Sequence, residues 1–190
     1  MSRRSARRTP ASGPAGPAAE HRASAARELP AARGAVLTVS DTRGRDSDPS
    51  GDLLAAGLAT AGVVVGRRAW VLDESGAIES ALRALLADGF DVVLVTGGTG
   101  PGRRDVTPEA VRAIGGRELP GFGELFRMLS YLEIGSAAVL SRALCTLHGR
   151  QVVYALPGST AACGLALERL ILPELDHLRA QLERSAGPPS

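Results

Sequence analysis

Four short apolar runs rich in valine, "AVLTVS" (35–40), "VVVGRRAWVL" (63–72), "DVVLVT" (91–96) and "QVVYALPG" (151–158), punctuate this chain, with helical patterns between and after them. Runs this short, bounded by turn residues, suit strands buried on both faces. Between the first two lies "SGDLLAAGLATAG" (50–62), which reads as a helix with Ser50 as N-cap and Gly62 as its stop. "AIESALRALLAD" (77–88) places Ile78, Leu82, Leu85 and Leu86 on one helical face. "TPEAVRAI" (107–114) opens a helix with Thr107 as N-cap and Pro108 at the first helical position. Strands alternating with such helices predict a mostly parallel sheet covered on both faces, a doubly wound α/β architecture.

The pattern is less regular further on. Residues 120–135 read as helix and "AAVLSRALCTLH" is ambiguous. "STAACGLALERLILPELDHLRAQL" (159–182) reads as one helix interrupted before Pro173 and then continuing. With 190 residues and 44% hydrophobic side chains, a single domain with its own core is expected over 34–184. Residues 1–33, rich in Ala, Pro, Gly, Ser and Arg, bury too little apolar surface to order themselves and are expected to be a disordered tail; 185–190 are expected to be a flexible C-terminus. The tail's two Arg-Arg pairs lack the apolar segment of an export signal, and no run approaches the roughly 18 residues of a membrane span. A cytoplasmic protein is the expectation, with no membrane partner.

All 22 basic residues are arginine. A chain without lysine has no Walker-loop lysine, no Schiff base and no lysyl-adenylate. Seven arginines against two glutamates fall in the first 33 residues, leaving 15 arginines against 18 acids elsewhere. A mildly acidic domain argues against nucleic acid as partner. Two cysteines outside any CxxC pattern and three histidines suggest neither a disulfide scaffold nor a zinc site. A G-x-S-x-G elbow and a G-x-G-x-x-G after the first strand are also missing.

In doubly wound sheets ligands bind beyond the carboxyl ends of the strands. The loops there carry Ser40 and Asp41, then Asp73 and Glu74, then "TGGTGPGRRDVTP" (96–108), then "LPGST" (156–160). Parallel strands would bring all four to one edge. Glycines 97, 98 and 100 allow positive φ and close approach to an anion, though a plain tight turn needs them too. Asp73 and Asp105 suit Mg²⁺, which takes one or two carboxylates, waters and substrate phosphates. The alternatives are a helix cap for Asp73 and a pairing of Asp105 with Arg103 or Arg104. Those arginines offer bidentate grips on phosphate or simply solvated charge. "LPGST" offers a second anion turn.

"VLTVSDTR", "SGDLL", "TGGTGPGRRDVTPEAV", "RELPGFGELFRMLS", "AAVLSRA" and "LPGS", in this order, resemble the MoaB/Mog family of molybdenum cofactor biosynthesis proteins over about Ala35 to Leu182. The resemblance implies a three-layer α/β/α fold, a homotrimer, molybdopterin binding and, in active members, adenylylation of molybdopterin by Mg²⁺-ATP with release of pyrophosphate. Insertion of molybdate would fall to a separate protein. It places the essential carboxylates, also the Mg²⁺ ligands, at Asp73 and Asp105. Its nucleotide and pterin-phosphate loop would fall on Gly97, Gly98, Thr99 and Gly100, with further contacts on Ser141, Pro157, Gly158 and Ser159; Ser40, Asp41 and Arg104 join the substrate- and nucleotide-binding candidates from their own place in the loops beyond the strand ends. Leu72 and Thr160 stand where many relatives have proline. The "RELPGFGELFRMLSY" wording resembles the MoaB branch, which also contains the alternative function of a molybdopterin-binding protein without turnover.

Overall fold

A computed structural model describes residues 29–41 and 47–185. The tail expected over 1–33 lies outside the described residues as far as residue 28, and so do 42–46 and 186–190. Ala32 is buried and Arg33 already begins the first strand.

In chain order the elements are β1 (Arg33–Val39), α1 (Pro49–Thr60), β2 (Val64–Val71), α2 (Ser75–Ala87), β3 (Val92–Thr96) and α3 (Thr107–Ala113). Then come β4 (Arg117–Glu118), α4 (Pro120–Ile134), a 3₁₀ segment (Gly135–Leu140), β5 (Leu144–His148) and β6 (Gln151–Leu156). The chain closes with α5 (Thr160–Ala166), a π-helical turn (Leu167–Ile171) and α6 (Leu172–Ser185). The strands form one six-stranded sheet in the order β2-β1-β3-β6-β5-β4. β2, β1, β3 and β6 are mutually parallel, while β5 runs antiparallel to β6 and to β4. The α/β sheet is thus mixed but mostly parallel, as the alternation predicts. The antiparallel pair arises where only Gly149 and Arg150 separate β5 from β6, too short for a crossover.

Each central strand feeds both faces of the sheet by strict alternation. Val92 and Leu94 of β3, with Val152, Tyr154 and Leu156 of β6, pack with Leu54, Leu58, Phe126, Cys163 and Ile171 from α1, α4, α5 and the π turn. Val93, Val95, Val153 and Ala155 pack on the opposite face with Ile78, Leu82, Leu85, Ala110 and Val111 of α2 and α3. Helices therefore cover both sides of the sheet, in three layers. Burying a Val or Leu side chain stabilises by about 1.5–3 kcal/mol, so these two clusters hold the parallel strands in register.

Two helix caps differ from the sequence reading. α1 is capped by Asp48, whose carboxylate accepts the Gly51 N–H, and not by Ser50, which is buried and bonds to Gly158 and Thr160. α3 has Val106 at its cap position, and Thr107 is already the first helical residue. The final helix is interrupted before Pro173 and then continues, as its sequence reads, and the interruption is a widened π turn. Among the described residues no helix is long and apolar enough to cross a membrane.

Candidate active site

The carboxyl ends of β1, β2, β3 and β6 open onto one cavity of about 660 Å³. Ser40, Asp41, Asp73, Gly97, Gly98, Thr99, Gly100, Asp105, Ser141, Pro157, Gly158 and Ser159 all line it. The parallel strands bring these residues together. Arg104 is the one sequence-predicted site residue that does not line the cavity. Its guanidinium is drawn to Asp41, 2.9 Å away, and stays largely exposed at the rim. Among the described residues no arginine lines this cavity, and the chain has no lysine.

The glycine loop after β3 is built around close contacts. Gly97 has φ +107 and Gly98 φ +63, conformations that side-chain-bearing residues rarely adopt. A Cβ on Gly97 would fall on the Val39 carbonyl oxygen. One on Gly98 would sit 2.7 Å from both Asp73 carboxylate oxygens and nearer still to Thr107 Oγ1. Gly98 is therefore the floor on which the Asp73 carboxylate rests. Asp105 lies against the same loop, where its Oδ2 accepts the Gly102 N–H at 2.9 Å.

Asp73 is not a helix cap. Glu74 occupies that position without a side-chain cap bond, and Asp73 Oδ1 instead accepts the Val106 N–H at 3.2 Å from the loop after β3. Its own N–H donates to Asp41 Oδ1 at 3.3 Å. Burial lifts the Asp73 carboxyl above the ordinary aspartate range, with the charges of Asp105 and Asp41 adding in the same direction. The Val106 N–H and Arg104 oppose that rise. Negative charge at this spot is thus under-compensated by the protein, which suits a cation or a protonated ligand.

The donor set fits Mg²⁺ in one way. Among the described residues no group of three or more His, Cys, Asp or Glu could hold a metal unaided. Two aspartates flanking an anion loop match an ion that completes its shell with waters and substrate phosphates.

The opposite wall is apolar: Phe126, Ile134, Ala137, Ala138, Leu140 and Ala162, with the buried Ser130 among them. Sequence reasoning did not single out this wall, although Phe126, Ser130 and Ile134 recur at four-residue spacing on α4. It took Thr107 for a helix cap, whereas the hydroxyl is buried beside Gly98 with no hydrogen-bond partner among the described residues. The "LPGST" turn is held from below: Thr96 Oγ1 donates to the Pro157 carbonyl at 3.0 Å, Cys163 Sγ donates to it at 3.2 Å, and Ser50 Oγ donates to the Gly158 carbonyl at 2.9 Å. Ser159 Oγ accepts the Ala162 N–H and caps α5.

Comparison with known proteins agrees with this geometry. Residues 35–177 match a family model described as a probable molybdopterin binding domain. A molybdenum cofactor biosynthesis protein B from Bacillus anthracis is 48% identical over 167 residues, covering 87% of this chain and 97% of that protein. A crystal structure of a molybdenum cofactor biosynthesis protein B superposes with a TM-score of 0.78 at 48% identity, over 82% of this chain and 98% of the other. The tungsten cofactor synthesizing protein MoaB of Pyrococcus furiosus gives 0.73 at 38% identity, over 83% and 99%. A chain with these loops on this sheet, matched over nearly the whole length of such relatives, belongs to the MoaB/Mog family of molybdenum cofactor biosynthesis proteins.

Proposed function

We propose that this member of a molybdenum cofactor biosynthesis family is a molybdopterin adenylyltransferase, joining molybdopterin to the AMP moiety of ATP and releasing pyrophosphate. The observation that carries the reading is the placement of Asp73 and Asp105 on the two sides of one glycine loop, inside a cavity of about 660 Å³. That volume lies within the range of a pocket built for a substantial ligand.

The terminal phosphate of molybdopterin is already an anion, so its attack on the α-phosphate of ATP requires no strong base. It requires two highly charged groups held in line and the accumulating charge compensated. The glycine loop and the "LPGST" turn hold phosphates, and the apolar wall of Phe126, Ile134 and Leu140 takes flat ring surface and excludes water. Asp73 and Asp105 would hold Mg²⁺, which when bound neutralises phosphate charge. Asp73, resting on Gly98, is the better-fixed of the two. Handing the product on for molybdate insertion would fall to a separate protein.

The protein acts as a homotrimer in this reading. Met128, Tyr131, Leu132 and Ile134 on α4, with Val139 and Leu140 of the 3₁₀ segment, are all more than half exposed. Apolar side chains gathered in this way mark an association surface. Ile134 and Leu140 belong to both this surface and the cavity, so a second copy would close the site.

A second reading, molybdopterin binding without turnover, is favoured by the absence of arginine from the cavity lining among the described residues. Pyrophosphate release from molybdopterin, ATP and Mg²⁺ separates the two. Release that disappears in Asp105→Ala supports the enzyme; pterin binding with no release selects the second reading.

A further inference from the structure

The turn after β6 is fixed from outside the cavity by two hydroxyls. Ser50, in the first turn of α1, is buried and does not line the cavity, whereas Gly158 and Ser159 do. Ser50 Oγ donates to the Gly158 carbonyl at 2.9 Å and lies 3.1 Å from Thr160 Oγ1. A serine hydroxyl has one proton, and with that proton given to Gly158 the Thr160 hydroxyl is the donor of the second bond. The bonds form a short relay, from Thr160 to Ser50 to the Gly158 carbonyl, in which each polarises the next. Ser50 is held in place by the cap of α1, where Asp48 accepts the Gly51 N–H at 2.9 Å and is tied in turn to Thr38, Arg68 and Trp70.

This relay orients the peptide that joins Gly158 to Ser159. In a trans peptide the carbonyl and the N–H that follows it point opposite ways, and no peptide among the described residues is cis. With the Gly158 carbonyl turned to Ser50, the Ser159 N–H points away from Ser50. It has no acceptor among the described residues. The preceding carbonyl, that of Pro157, accepts from Thr96 Oγ1 and Cys163 Sγ, so the turn is pinned at two successive carbonyls.

We propose that Ser50, backed by Thr160, is a positioning residue that turns the Ser159 N–H onto a phosphate oxygen of the ligand. The inference rests on the reading of "LPGST" as an anion turn. It assigns one donor of that turn to a single peptide, and it gives two hydroxyls outside the cavity lining a part in binding. Alanine at position 50 would release the Gly158 carbonyl from its partner, and the peptide with it. Valine at position 160 would keep the shape of the side chain and remove only the donor behind Ser50.

The test uses the full chain, with inorganic pyrophosphate and Mg²⁺-ATP as probes, calorimetry for affinity and amide NMR for the direction of the N–H. In the wild type the Ser159 amide proton is expected to move downfield as pyrophosphate is added, the signature of a hydrogen bond to an anion. Ser50→Ala is expected to bind both probes about fivefold to tenfold more weakly and to lose most of that shift, with the amides of Val93–Val95 in β3 unchanged. Thr160→Val is expected to show the same change at smaller amplitude and Thr160→Ser to restore it, a pair that also serves if the alanine variant does not fold. A Ser159 amide that stays still in the wild type while those of Gly98–Gly100 move overturns the proposal and leaves the glycine loop standing as a phosphate site. So does a folded Ser50→Ala protein with affinity within about twofold of wild type and the Ser159 shift intact. A wild-type protein that binds neither probe overturns the phosphate reading and the proposal together.

Discussion

Gly97 and Gly98 are adjacent, both have positive φ, and the structure assigns them different work. Replacing each by alanine separates folding from function. At Gly98 the backbone lies in the left-handed region at φ +63, where an L residue costs about 1–2 kcal/mol. For a chain of this size that lowers Tm by roughly 2–8 °C. The added methyl would sit 2.7 Å from both Asp73 oxygens, closer than ordinary contact, so the carboxylate must retreat by roughly half an ångström. Misplacement approaching 1 Å can cost about 100-fold in a preorganised site. Gly98→Ala should therefore fold and lose about tenfold to 100-fold in turnover.

At Gly97 the methyl meets the Val39 carbonyl oxygen, a backbone atom of β1 that cannot swing aside. The backbone at φ +107 also lies beyond the left-handed well. Strain and clash together should exceed roughly 3 kcal/mol, a fall in Tm above about 6 °C. Thermal unfolding by circular dichroism ranks the two variants, and pyrophosphate release, or molybdopterin affinity for a protein without turnover, measures the site. A Gly98→Ala protein that is folded and fully active would refute the placement of Asp73 on Gly98 as a functional contact. A Gly98 variant less stable than the Gly97 variant would refute the steric argument.

Three further outcomes follow from the same geometry. Asp48 is buried and accepts from Thr38 Oγ1 at 2.6 Å, Arg68 Nη2 at 2.9 Å, Trp70 Nε1 at 3.1 Å and the Gly51 N–H at 2.9 Å. Burial raises its pKa, but these bonds and the Arg68 charge outweigh that and leave it below 3.8, so its stability contribution is full above that pH and lost as pH falls through the folded value. Asp48→Asn should cost about 3 kcal/mol at pH 7 and flatten the acid limb of a urea-unfolding series. Asp73 is raised, so its ionised form destabilises the fold above its folded pKa and not below 3.8. Asp73→Asn should raise Tm at pH 7, converge with wild type below pH 3.8, and abolish turnover; an unchanged Tm at pH 7 would count against a desolvated, repelled carboxylate. Leu132, 75% exposed on α4, should when changed to Glu convert the proposed trimer to a monomer in sedimentation; a wild type and variant that sediment alike would count against α4 as the subunit contact.

How much of this was legible in the sequence depends on the range of the interaction responsible. The strands were readable because their period-two burial is a local pattern: Val92, Val93, Leu94 and Val95 divide between two core clusters. The gathering of Asp73, the glycine loop and "LPGST" was readable because parallel topology alone sends all their loops to one edge. The caps were misread where tertiary partners competed for the side chain. Ser50 resembles a cap in sequence, yet its hydroxyl bonds a turn more than 100 residues away, and Asp48 takes the capping position while gathering Thr38, Arg68 and Trp70. Arg104, read beside the loop as a phosphate ligand or a solvated charge, pairs with Asp41 at the rim, a partner from a different loop that no spacing announces.

Arg142, whose Nε donates to the Gly100 carbonyl and Nη2 to the Asp105 carbonyl, shows why a residue that braces a loop escapes inspection of the sequence. It lies 37 positions from Asp105 and 42 from Gly100, and although it sits in the "AAVLSRA" motif after α4, nothing in that motif names the carbonyls it meets. Its chemistry is directed at carbonyls, which every residue has, and not at a side chain whose identity could betray the pairing. The glycines announce that backbone will meet an anion, because only they reach the required φ. Which side of that backbone faces the anion is a separate matter. The Gly98 carbonyl is held by the nearby Thr107 N–H and the Thr99 carbonyl by the Arg142 N–H, and the second of these comes from a segment brought alongside only once the sheet has formed.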